Sequence, residues 1–285
     1  MNIYIIYEFQ MSIKANNSIR PPSRWLIIRE SMALVDLAFV PLSLLESKIA
    51  KKQNVERLPI IMLPGFGTDE RYLKPLEYYL QNLGYMTEGW GLGTNLAGVN
   101  LKHTLEDLSD TWGFEYPENY SPTTYKGEGG VPFLCDKVIA HVKKRSDQLN
   151  SPVVLIGWSL GGFIARECAR ELPNQVAQII TFGAPIIGGP KYTRASDYFR
   201  ARKYDLDWIE ESIERRNCKD ITQPITNIYS KSDGIVSSAA SIDLVSSNVT
   251  NIEVNSSHIG MGFNYKIWKI IRSSLETRVS KNDEQ

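Results

Sequence analysis

The sequence predicts an α/β protein, with a mostly parallel central sheet of about six strands and helices on both faces. Two observations carry this. From residue 58 onward, short apolar runs of strand length alternate with longer segments of helical period. Most of these runs end in glycine, proline or small polar residues, the punctuation of turns. Repeats and low-complexity segments are absent from the sequence, and 285 residues at 42% hydrophobic and 22% charged are ordinary globular material.

The elements follow in chain order. Residues 21–50 open on Pro21-Pro22 and read as helix, with Leu34, Leu37, Ala38, Pro41, Leu44 and Leu45 forming a broken apolar stripe. Residues 1–57 are therefore expected to be a helical extension packed on a main domain spanning 58–285. Leu58 to Leu63 is a short strand closed by Pro64-Gly65-Phe66-Gly67, after which Thr68 or Asp69 caps a helix running to about Leu83. Tyr85 to Trp90 reads as the second strand and residues 132–149 as helix. Pro152 to Ile156 is a buried strand, and Leu160 to Leu172 a helix. Strands follow at Val176–Phe182, Ile225–Tyr229 and Val249–Val254, with a last helix from Tyr265 to Arg278. In such sheets the chemistry gathers at the carboxyl ends of the strands, so functional side chains are sought just after them.

Composition narrows the function classes. Thirty-two basic and 32 acidic residues give a net charge of zero, which provides no field for nucleic acid. Cys135, Cys168 and Cys218 form neither a CxxC pair nor a disulfide framework, and with three histidines they leave little material for a metal cage. No metal and no cofactor is expected. The apolar start (IYIIY, within Met1–Gln10) lacks a basic flank and a long apolar core, so it is not read as a signal peptide, and a cytoplasmic protein is expected. Met11 is an alternative start. The most apolar stretch, Trp25 to Leu45, is interrupted by Arg29, Glu30 and Asp36, which argues against a membrane-spanning helix. The segment Gly89-Trp-Gly-Leu-Gly93-Thr94 lacks the third glycine of a dinucleotide loop and is rejected as one.

The nucleophile candidate is Ser159, in Gly157-Trp158-Ser159-Leu160-Gly161, directly after a strand and opening a helix. That G-x-S-x-G context forces a sharp turn that exposes the serine hydroxyl, and the flanking glycines keep a Cβ out of the turn. A serine needs a base to take its proton. His103 lies in a polar stretch and His141 in mid-helix, whereas His258 follows the last strand in Ser256-Ser257-His258-Ile-Gly. Asp233, in Lys231-Ser-Asp-Gly-Ile, follows the strand before it and is the candidate acid. The chain order is thus Ser159, Asp233, His258. An oxyanion hole is expected from the backbone N–H groups of Leu160 and Phe66, with Gly67 as the fallback donor.

The segments LPGFG (63–67), GWSLGG (157–162), SDGIV (232–236) and SHIGMG (257–262) resemble α/β-hydrolase-fold lipases and esterases, most of all small bacterial ones with a PGF-like oxyanion loop. The resemblance runs over roughly residues 21 to 276. It implies hydrolysis of an apolar carboxylic ester, small or lipid, through an acyl-serine. It also places a cap or lid between the fourth and fifth strands, at 186–222, and the helical start implies a reduced sheet of about six strands. Trp158 and Phe66 flank the expected chemistry as candidate walls for an acyl group. The aromatic, proline-rich stretch Trp112–Tyr125 reads as a loop, near the site or on the surface. Two other readings stay open: an acyltransferase or thioesterase on the same residues, and a non-catalytic binding protein on this scaffold.

Overall fold

The computed structural model describes residues 19–49, 57–112 and 125–282. The sequence readings for Met1–Gln10 and for nearly all of the 112–125 loop fall outside these. Six strands form one sheet: β1 (Ile60–Leu63), β2 (Thr87–Gly89), β3 (Val153–Trp158), β4 (Val176–Phe182), β5 (Ile225–Ser230) and β6 (Val249–Val254). All neighbours pair in parallel, in the order β2-β1-β3-β4-β5-β6.

Why these runs make central strands is visible in their burial. Every residue of β1, β3 and β4 is buried, as a parallel sheet covered on both faces requires. Alternation divides the side chains between two cores. Ile60, Met62, Ile156, Ile180 and Phe182 point to one face and meet Leu76 and Leu80 of α2 (Lys74–Asn82) and Trp268 and Ile271 of α7 (Tyr265–Asn282). Ile61, Leu63, Leu155 and Ile179 point to the other and meet Val138 of α3 (Gly130–Leu149) and Ile164 and Cys168 of α4 (Leu160–Glu171). The two edge strands differ: no residue of β2 or β6 is fully buried. Asp69, not Thr68, caps the turn after β1, its carboxylate accepting from the Arg71 N–H at 2.9 Å.

The strand order positions the site. From β1 the chain steps outward to β2, then crosses back to β3 on the other side of β1. The loops leaving β1 and β3 therefore diverge and open a crevice at their carboxyl ends. Register makes those ends level: Leu63 pairs Gly157, Trp158 pairs Phe182, and Phe182 pairs Ile228. Between β4 and β5, the 186–222 segment folds as α5 (Ser196–Ala201) and α6 (Leu206–Asn217). An antiparallel bridge from Thr193 to Val236 and a 2.8 Å bond from Arg194 N–H to Ile235 O tie it to the loop after β5.

The N-terminal segment departs from its sequence reading. A helix does form, α1 (Ala33–Ile49), but the stripe of Leu34, Leu37 and Leu45 faces solvent. The buried positions are Ala33, Val40, Ser43 and Ser47. Both serine hydroxyls bond back to helix carbonyls (Ser43 to Phe39 O, Ser47 to Leu44 O), and Asn82 Nδ2 of α2 donates to Ser47 Oγ at 2.9 Å. Small residues whose polar groups are satisfied locally allow close helix approach, and hydrophobic period alone does not register them.

Candidate active site

The β3–α4 turn puts Ser159 at φ 54°, ψ −126°, a backbone conformation that L-residues rarely adopt. Its N–H bonds Phe182 O at 2.9 Å, which locks the turn to β4. The glycines are sterically required. A Cβ on Gly157 would strike the backbone of Gly161 and Gly162, and one on Gly161 would strike the carbonyls of Leu63 and Pro64.

Loops after β5 and β6 bring two more side chains to this point. His258 Nε2 lies 3.0 Å from Ser159 Oγ, and His258 Nδ1 lies 2.7 Å from Asp233 Oδ2. The other carboxylate oxygen of Asp233 accepts from the Ile235 and Val236 N–H groups at 2.8 and 2.7 Å. All three residues are buried, at 8% exposure or less. A proton on Nδ1 would satisfy the carboxylate and leave the Nε2 lone pair facing the hydroxyl, the arrangement general-base activation of a serine needs. His103 stacks on Phe133 instead and bonds Leu101 O, and neither it nor His141 lines the cavity above Ser159.

The loop after β1 lies against the same turn. Among the described residues, no hydrogen bond of the protein uses the N–H of Phe66 or of Leu160. Gly67, the fallback donor, is spent: its N–H bonds Asn95 O at 2.7 Å. Asn95 is fully buried and grips this loop a second time, Nδ2 donating to Pro64 O at 2.8 Å.

Trp158 is both core and wall. Its indole stacks on Tyr72 with centroids 3.8 Å apart, its Nε1–H donates to His258 O at 3.2 Å, and it lines the cavity. The Tyr72 hydroxyl donates to Ile259 O at 2.6 Å and accepts from Gly262 N–H at 3.2 Å. Burial, with nearby Glu30, Asp233 and Asp36, pushes that hydroxyl well above its ordinary pKa, so it stays a donor. The cavity, about 390 Å³, is lined chiefly by apolar side chains, among them Phe66, Phe163, Phe199, Trp208 and Ile213. Phe66 meets Tyr198 and Phe199 of α5 at 5.5 and 5.7 Å.

Two supporting residues escape sequence reasoning. One is Asn95, directly after the glycine-rich segment Gly89–Thr94. The other is Glu30, whose carboxylate reaches from the N-terminal segment into the loops that carry Asp233 and His258. Its Oε1 accepts from Gly234 N–H at 2.9 Å and His258 N–H at 3.0 Å, and its Oε2 from Ile259 N–H at 2.8 Å. Gly234 lacks the Cβ that would strike Leu26 O and Glu30. The available signal was an acid inside a long apolar stretch, a pattern that asks for a buried partner.

No protein-family model matches the chain. Among solved structures, a chain from LipS and LipT, two metagenome-derived lipolytic enzymes, superposes with TM-score 0.52 at 12% identity, covering 78% of this chain and 95% of that one. Mouse alpha/beta hydrolase domain-containing protein 10 aligns at 18% identity and TM-score 0.48, covering 81% and 93%. In sequence, 98 residues are 26% identical to a pimeloyl-[acyl-carrier protein] methyl ester esterase of Aromatoleum aromaticum, so the match spans about a third of either chain, 34% of this one and 35% of the relative. The chain has the α/β-hydrolase fold.

Proposed function

We propose that the protein is a serine carboxylesterase or lipase acting on apolar carboxylic esters through an acyl-serine. One observation carries the reading: the continuous chain from Asp233 Oδ2 through the His258 ring to Ser159 Oγ, at 2.7 and 3.0 Å, in a buried site beneath an apolar cavity. In this mechanism His258 takes the Ser159 proton as Oγ attacks the ester carbonyl. Asp233 stabilises the resulting imidazolium. The carbonyl oxygen, now negative, is held by the N–H groups of Phe66 and Leu160, which no protein acceptor occupies among the described residues. His258 then protonates the leaving alcohol, and water attacks the acyl-serine by the reverse path. The acyl group lies against Trp158 and Phe66. No step calls for a metal or cofactor.

The test is hydrolysis of p-nitrophenyl esters across an acyl-length series, with labelling by a fluorophosphonate probe. Ser159→Ala should lose both turnover and label, and His258→Ala should lose turnover. Asp233→Asn should lower kcat about 10⁴-fold, the loss that follows a wrong histidine tautomer. An Asp233→Asn variant within about tenfold of the parent would show that the acid is wrongly assigned. Adding an alcohol acceptor reads out acyl transfer directly, since transfer would divert the acyl group from water.

A further inference from the structure

Of seventeen large apolar side chains that stand exposed among the described residues, eleven lie between Trp25 and Ile49. Trp25, Leu34 and Ile49 are each more than 70% exposed. A patch of this density on a folded protein marks an interaction surface. The charges around it are arranged as well. Asp36 turns inward to Asn264 at 3.0 Å, and Glu46 is engaged by the Tyr265 hydroxyl and by Lys269 at 3.7 Å. The basic groups remain outward. Arg20, Arg24, Arg29 and Lys48 are exposed, and no carboxylate among the described residues pairs with Arg20 or Arg24. Arg29 bonds only a neutral partner in this set, Ser232 Oγ at 2.9 Å.

We infer that residues 20–49 seat the protein on an anionic phospholipid surface, with α1 lying in the plane of the interface. Exposed apolar side chains along α1, preceded by the exposed Trp25 and by arginines, match the pattern of a segment that lies in the membrane interface. Crossing is not what it is built for: no helix among the described residues is long and apolar enough to span a membrane. A second copy fits less well. Basic groups lie at both ends of the face and the nearby acids are already engaged, so two copies laid together in either direction bring like charges close. The patch also runs into the candidate active site. Glu30 joins it to Ile259, which is 42% exposed and lines the cavity beside His258.

The experiment is co-sedimentation of the full chain with vesicles of phosphatidylcholine, with and without phosphatidylserine. Binding should be stronger to the anionic vesicles and should weaken as salt rises. The triple variant Leu34→Gln/Leu37→Gln/Leu45→Gln should partition about tenfold less onto them. Arg20→Gln/Arg24→Gln should lose about fivefold per charge, and only on anionic vesicles. Both variants should hydrolyse a soluble short-chain ester at the parent rate, which shows that they fold. Ser159→Ala should partition like the parent, so a failure of the hydrolase reading leaves this result untouched. The inference is overturned if the parent sediments with neither vesicle, or if the triple variant binds as well as the parent. A dimer seen by analytical ultracentrifugation, lost in the triple variant and accompanied by no vesicle binding, would assign the face to a second copy instead.

Discussion

The two halves of the candidate active site are held by opposite means. The Ser159 turn is held by backbone sterics: Gly157 lies against Gly161 and Gly162, Gly161 lies against the carbonyls of Leu63 and Pro64, and one bond runs to β4. The loops carrying Asp233 and His258 are held from elsewhere. Ser230 Oγ spans them, donating to Ser256 O at 2.7 Å and accepting from Ser232 N–H at 3.0 Å. Ser232 Oγ donates to Asn255 Oδ1 at 2.8 Å, and Glu30 closes the network from more than two hundred residues upstream. The serine turn is a steric solution built from close backbone packing, whereas Asp233 and His258, on two loops, need a polar scaffold to hold them in register.

The largest expected effect comes from breaking the tie between the halves. Arg166, on the helix that opens at Ser159, makes a fully buried ion pair with Asp243, on the β5–β6 connection. Asp243 also accepts from the Val245 and Ser246 N–H groups, both at 3.0 Å. Asp243→Asn leaves a buried guanidinium without its counter-charge and should cost about 3–5 kcal/mol in chemical denaturation. Acid should act through the same pair. Burial alone would raise the Asp243 pKa, but Arg166 and these amide bonds outweigh it and set the pKa below the ordinary 3.8. A depressed folded-state pKa gives stability that is present above the unfolded value and lost as pH falls through the folded one. The parent should therefore destabilise on acidification below pH 3.8, and Asp243→Asn should do so less steeply.

Next in size is a change inside the serine turn itself. Gly161→Ala drives a Cβ into the carbonyls of Leu63 and Pro64, which belong to the strand end and the loop carrying Phe66. Backbone cannot yield there as a flexible side chain would. The expected cost is about 3 kcal/mol, the upper end for an overpacked core. A kcat loss of about a hundredfold should accompany it as Ser159 and the Phe66 N–H are displaced. A variant with parent stability and parent kcat would show that the turn is less constrained than its contacts require.

The same contrast explains what could be read from the chain. The six strands, and the meeting of Ser159, Asp233 and His258 at one point, follow from apolar runs and turn residues, which are local signals, and from a count of three histidines in the whole chain. Glu30 and Asn95 were not legible, because their partners are backbone groups distant in sequence, and a backbone N–H looks alike at every position. The orientation of α1 departs from its hydrophobic period for a related reason. Its buried side is built from Ala33, Val40, Ser43 and Ser47, with Leu44 partly buried, while Leu34, Leu37 and Leu45 of the apolar stripe face outward. Period locates a core-facing stripe only where water is the medium on the other side.

Glu30 then tests whether the remote scaffold matters to chemistry or only to folding. Glu30→Ala strands three buried or half-buried N–H donors, on Gly234, His258 and Ile259. Water entering the vacated space can take up part of these donors, so the loss is set at about 1–3 kcal/mol in all, divided between stability and positioning. The expected outcome is a ten- to hundredfold drop in kcat, about the cost of a misplaced base, with KM for a short ester unchanged. Glu30→Gln keeps one oxygen for Gly234 and His258 but presents an NH₂ to the Ile259 N–H, so it should recover most of the loss. A purely structural role would lower the melting temperature in both variants while leaving kcat of the folded fraction at the parent value.

Trp158 gives the smallest and most selective perturbation, at the point where the two halves touch. Its indole N–H donates to His258 O at 3.2 Å, while its ring stacks on Tyr72 and sits 5.1 Å from the His258 ring. Trp158→Phe removes the donor and keeps most of the stacking surface. Because Tyr72 still holds the adjacent Ile259 O at 2.6 Å, the histidine loop retains one of its two aromatic anchors. The expected loss is about 1 kcal/mol, the net worth of one hydrogen bond, seen as a severalfold fall in kcat and a small drop in stability. Combining Trp158→Phe with Glu30→Gln sharpens the point through a double-mutant cycle. If the two act on one loop, their kcat effects should depart from additivity by more than about 0.5 kcal/mol, whereas simple addition would mean that the serine side and the N-terminal side position His258 independently.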